Sequence, residues 1–227
     1  MPDDPLPSNW PSSVIYTARP ILSPHFPPDQ LQYINRLATT PTHTIRSLPP
    51  LPLCKHPKDL VRIKLITQPE HPANGQNGLF AVRKVEGGCK VIDYVGVVHS
   101  RTLSATASSS SSANHHPYEE SDYDLSLIRC MSVPPPTPST TNPKPEPVLV
   151  DIGIDAAKHG NAARMINDYR GIAPKPNCEF RQVWDAQSGW ARMEVWTIAG
   201  AAGAGGLRKG EEVLVSYGKG FWAARTS

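Results

Sequence analysis

The chain has 227 residues, with 23 Lys and Arg against 20 Asp and Glu for a formal net charge of +3. That length holds one domain with extensions, and a charge so close to neutral does not by itself argue for nucleic-acid binding. Proline takes 25 positions and hydrophobic residues 39% of the chain, so the sequence reads as a folded core diluted by unstructured segments. No apolar run approaches the roughly 18 residues that a membrane span needs. The start, Met1-Pro2-Asp3-Asp4-Pro5, has neither the basic nor the apolar region of a secretory signal. Cys54, Cys89, Cys130 and Cys178 lack the paired spacing of a zinc site or a disulfide framework. They read as reduced thiols of an intracellular protein, with no metal predicted.

Residues 1–57 form a proline-punctuated N-terminal extension. Within it Asp29 to Ala38 is the helix candidate: Asp29 suits an N-cap, and Leu31, Ile34 and Leu37 share one helical face. Thr39 to Pro52 reads as an extended linker, because each proline biases its predecessor away from helix. From Leu60 to Ile66 apolar and basic residues alternate, which predicts a half-buried strand. A loop over Glu70 to Gly78 leads into a short apolar run, Leu79 to Val82, and then a turn at Glu86-Gly87-Gly88. Lys90 to Val98 is β-branched and aromatic and predicts a further strand pair.

Residues from about 100 to 147 read as a low-complexity insert. Ser108 to Ser112 is an unbroken serine run, and residues 132–147 hold seven prolines. Between these, Tyr123 to Ile128 alternates as a single strand would. Strands are predicted again at Val148 to Ile152, Cys178 to Val183, Ala191 to Ile198 and Val213 to Tyr217, with a short helix or helical turn over Asp155 to Ile166. The turn Asp185 to Gly189 and the connector Gly200 to Gly206 join the later strands. The fold class that follows is mainly β, with many short strands and little helix.

Four segments carry the chemistry. They are Gly75-Gln76-Asn77-Gly78-Leu79-Phe80-Ala81; Asp93-Tyr94-Val95-Gly96; Gly160-Asn161-Ala162-Ala163-Arg164-Met165-Ile166-Asn167 followed by Pro176-Asn177-Cys178; and Gly210-Glu211-Glu212-Val213-Leu214-Val215-Ser216-Tyr217-Gly218. In this order and spacing they resemble the SET domain of protein-lysine methyltransferases. The resemblance covers residues 58–222 and leaves 223–227 as a tail. It implies a fold of several small sheets with a C-terminal pseudoknot in which the segments around Asn167 and Tyr217 meet. It also implies S-adenosyl-L-methionine on one face and a channel for a substrate lysine on the other.

The resemblance carries roles onto particular residues. Gly75, Gln76, Asn77, Gly78 and Leu79 would hold the amino-acid end of the cofactor, glycine allowing close backbone approach. Arg164, Asn167 and Asp168 would hold its remainder, and Phe221 and Trp222 would offer an aromatic face to adenine. Tyr217 would point its hydroxyl at the methyl-transfer centre, with Tyr94 and Phe180 lining the lysine channel. Phe180 stands where some relatives carry a tyrosine that limits the number of methyl groups, so products beyond monomethyl-lysine are implied. The chain departs from the family pattern at Gln76, where a glycine is usual, and at Asp168, where a histidine is usual. No post-SET zinc cluster is present, since no cysteine follows Cys178.

The function implied is methyl transfer to a lysine amine of a protein, histone or non-histone. Neither a nucleic acid nor a membrane is implied as partner, and the nucleus is favoured over the cytoplasm. Two other readings stay open: a catalytically silent SET module that binds peptide or cofactor, and a scaffold working through its proline-rich ends. The glycine-rich stretch Gly200 to Gly206 lacks the Gly-Lys-Ser/Thr of a phosphate loop, and His115-His116 lacks further ligand spacing.

Overall fold

The computed structural model describes residues 6–39, 60–103, 117–118, 120–134, 146–185, 190–200, 205–218 and 222. The serine run, His115-His116, most of the proline tract, Cys54 and Phe221 lie outside the described residues. Within them the fold is mainly β and built from five small sheets.

Two short strands open the chain, β1 (Ile15–Tyr16) and β2 (Ile21–Leu22). They are followed by helix α1 (Pro28–Thr39), which begins one residue ahead of the expected cap. Asp29 therefore sits in the first turn and Pro28 at its head, where a missing N–H costs nothing. Ile34 is only 1% exposed and Leu31 packs against the core, while the Leu37 side chain lies outside the described ones. A hairpin pairs β3 (Val61–Leu65) with β4 (Asn77–Ala81), and Leu79 and Ala81 are fully buried.

The apolar stretch from Lys90 to Val98 does not fold into a strand pair. It divides into β5 (Lys90–Tyr94) and β6 (Val97–Leu103), which join different sheets. A Cβ at Gly96 would stand 2.2 Å from the carbonyl oxygen of Asp155, so only glycine lets the chain turn between the two sheets there. β6 pairs with β8 (Val148–Asp155), and β8 with β7 (Asp124–Val133), giving the order β2-β6-β8-β7. β5 pairs with β12 (Trp190–Thr197), which pairs with β11 (Cys178–Asp185).

Asp155 to Ile166 is not a helix with a break. Asp155 ends β8, β9 (His159–Gly160) pairs with β1, and only Ala162–Met165 is helical, as one 3-10 turn. Parallel pairing of β9 with the N-terminal strand outweighs local propensity here. Tyr217 lies beyond the last strand, since only β13 (Leu214–Val215) is paired, in parallel with β10 (Asn167–Asp168). The Asn167 and Tyr217 segments thus lie together. One core unites these layers, and Ile152, Val195 and Val213 are fully buried in it.

Candidate functional site

The site grows from the way the 162–168 and 210–217 segments are pinned. Asn161 caps the 3-10 turn by accepting from the Ala163 N–H (3.2 Å), and its amide nitrogen donates to the Asp93 carbonyl (2.8 Å), tying the turn to β5. Asn177 does the work of a missing ladder rung. Its side chain donates to the Glu212 carbonyl (2.8 Å) and accepts from the Leu214 N–H (2.9 Å). The Val213 N–H donates to the Leu79 carbonyl (2.8 Å), which lays the C-terminal segment along β4.

These ties enclose a cavity of about 420 Å³. Gln76, Asn77, Asn167, Asp168, Tyr217 and Trp222 line it, brought together from four stretches of the chain. Arg164 lines it too, but its guanidinium is engaged with the Ala156 carbonyl (2.8 Å) and lies over the Tyr123 ring (4.2 Å). Gly75 and Gly78 serve different ends. Gly75 has a φ of +81°, which suits glycine in the turn. At Gly78 a Cβ would stand 2.7 Å from Glu212 Oε1, so the close approach there is by a side chain of the protein itself. Leu79 points into the core rather than the cavity.

Tyr217 donates its hydroxyl to the Ile166 carbonyl (2.6 Å), and its N–H donates to Asp168 Oδ2 (2.7 Å). Tyr94 donates its hydroxyl to the Tyr123 carbonyl (2.7 Å). Burial above all pushes both phenols up from their ordinary pKa. Tyr123 and Asp168 add to this at Tyr217, and Asp155 and Tyr217 at Tyr94. Both are therefore neutral. Phe180 meets Tyr94 edge-on with ring centroids 5.7 Å apart. Tyr94 also borders a second cavity, of about 830 Å³, walled by Leu22, Leu31, Trp190 and Met193.

Asp168 is a buried node. Its carboxylate accepts from the Arg170 N–H (2.9 Å), the Arg170 guanidinium (3.0 Å), the Tyr217 N–H and Trp222 Nε1 (3.3 Å). The Arg170 guanidinium stands 5.6 Å from the Trp222 ring centroid. Sequence reasoning gave no role to Glu212, His71, Tyr123, Arg170 or Pro11, although each lines or braces the cavity. Glu212 stands within a quoted segment, but its partner His71 is 141 positions away, a separation no local pattern encodes.

No family model matches the chain, and no curated protein matches it. Among solved structures it is similar to a humanized mutant of the Chaetomium thermophilum Polycomb Repressive Complex 2 bound to an inhibitor, at 22% identity and TM-score 0.41 over 69% of this chain. It is also similar to ctPRC2 in an autoinhibited conformation bound to S-adenosylmethionine, at 19% identity and TM-score 0.41 over 74% of this chain. A third is an active polycomb repressive complex 2 in the stimulated state, at 19% and 0.41 over 70%. The chain spans 15% or 16% of the length of these chains. At that distance the likeness does not bear on the chemistry of the site.

Proposed function

We propose that the chain is an S-adenosylmethionine-dependent protein-lysine N-methyltransferase of the SET type. The observation that carries this is the convergence of Gln76, Asn77, Asn167, Asp168 and Trp222 with Tyr217 around one cavity. Its volume of about 420 Å³ falls within the usual range of small-molecule sites. The residues suit the cofactor: Trp222 offers a ring face, Gln76 and Asn77 offer amides, and Asp122 adds an acidic group to the wall. When bound, S-adenosylmethionine supplies an electrophilic methyl group.

The protein's part is to hold and neutralise the amine. A lysine costs about 4 to 5 kcal/mol to deprotonate at pH 7. Tyr217 and Tyr94 spend their own protons on backbone carbonyls. As neutral phenols they add no charge beside the amine, and the buried surroundings disfavour the ammonium. Alignment of the amine with the methyl group supplies much of the remaining rate. Phe180 meets the Tyr94 ring without a hydroxyl of its own, which supports products beyond monomethyl-lysine. The protein substrate, histone or non-histone, and a nuclear site of action belong to the same proposal.

The test is transfer of label from S-adenosylmethionine to core histones and to a methylation-poor cell extract, with wild type and Tyr217→Phe side by side. Label with wild type and about a hundredfold less with the variant is the expected result. Mass spectra of the labelled product are expected to contain dimethyl-lysine. The saturation of Asp168 by four donors favours a second reading, a module that binds the cofactor without turnover. Binding with no label on any substrate would select it.

A further inference from the structure

We infer that His71 and Glu212 are positioning residues that set the orientation of Asn167 and of the Gln76 turn, resting on the methyltransferase reading of that cavity. Neither residue lines the cavity, so both act through others. Their side chains are only 10% and 9% exposed. Glu212 Oε2 lies 3.0 Å from His71 Nε2, and Oε1 accepts from Asn167 Nδ2 at 2.8 Å.

The chemistry fixes every proton in this chain of contacts. His71 Nδ1 accepts from the Ala73 N–H (3.0 Å). A backbone N–H can only donate, so Nδ1 carries no proton and Nε2–H donates to Glu212. A carboxylate can only accept, so Asn167 must turn its nitrogen towards Glu212 and its carbonyl oxygen away. The other end of the relay reaches the cofactor turn. Ala73 lines the cavity, and its carbonyl accepts from the Gln76 N–H (2.9 Å). One carboxylate thus holds both the amide of Asn167 and the turn that carries Gln76 and Asn77. Gly78 makes the space, since a Cβ there would stand 2.7 Å from Glu212 Oε1. The bridge between Phe80 and Glu212 and the Val213-to-Leu79 bond fix the backbone behind it.

Two variants test the relay by its polarity. In Glu212→Gln the new amide nitrogen donates where the Asn167 nitrogen points, so the Asn167 amide must turn over or lose that contact. The dissociation constant for S-adenosylmethionine, read by calorimetry, is expected to rise about tenfold. Combining Glu212→Gln with Asn167→Asp lets the new amide nitrogen donate to the new carboxylate while its oxygen accepts from His71. This double variant is expected to bind at least about threefold more tightly than the single one. Unchanged affinity in the single variant would overturn the inference. So would a double variant that melts cooperatively yet binds no better than the single one. If the single variant does not fold, a double variant that melts cooperatively supports the inference and one that also fails to fold overturns it. Absence of binding by wild type would instead bring down the reading of the cavity itself, and the inference with it.

Discussion

Trp222 and Asp168 form the outer wall of the cavity through one long hydrogen bond and a shared neighbour, Arg170. Trp222 is only half-buried, so its ring is not wholly committed to the core. Trp222→Ala is expected to weaken S-adenosylmethionine binding about tenfold, read by calorimetry, with little change in melting temperature. Trp222→Phe keeps a ring face but loses the bond to Asp168, and is expected to fall between the two. At this scale Tyr217 and Asn167 were singled out from short quoted segments and Trp222 from its closeness to Tyr217, and the structure brings all three to one cavity. His71 was not, because its meaning comes from a carboxylate 141 positions away.

The N-terminal stretch is where element and sequence part most clearly. Prolines at positions 7, 11 and 20 argue against regular structure. Yet the chain pairs with the core through residues between and just after them: the Ile15 N–H donates to the Lys158 carbonyl and the Ile21 N–H to the Gly96 carbonyl. Strands of two residues carry no readable period, so no alternation announces them. The strap matters to the site, since Pro11 lines the cavity and the Asn9 carbonyl accepts from Asn77 Nδ2 (3.2 Å). Trp10 holds it, donating from Nε1 to the Val14 carbonyl (2.7 Å) and meeting Tyr16 edge-on at 5.2 Å. Trp10→Ala is expected to cost about 1 to 3 kcal/mol, lowering the melting temperature by several degrees in calorimetry. In the same way, the helix expected over Asp155 to Ile166 lost to long-range pairing of β8 and β9, which no window of that length contains.

For the whole molecule, burial leaves an alkaline signature. Tyr94, Tyr217 and Cys178 all have pKa values raised chiefly by desolvation, from ordinary values of 10.0, 10.0 and 9.0. In the unfolded chain they release protons at those ordinary values, while the folded chain keeps them. Stability from this source is complete below about pH 9 and declines as pH rises, because the folded state then binds more protons. Each retained proton contributes a slope of about 1.4 kcal/mol per pH unit. Urea unfolding at pH 8, 9.5 and 10.5 is expected to give falling stability, and Tyr94→Phe to remove one proton's share of the slope. Methyl transfer is expected to rise over the same range, since the substrate amine deprotonates while both phenols stay neutral.

The sequence by itself determined the mainly β character and the order of the segments that meet at the cavity, because period, glycine turns and short residue patterns are local properties. The tertiary structure decided that Lys90 to Val98 divides between two sheets, that the proline-rich start is a strap on the cavity, and that Glu212 faces Gly78, His71 and Asn167 together. Those outcomes depend on pairings between distant strands and on burial, which only the closed fold supplies.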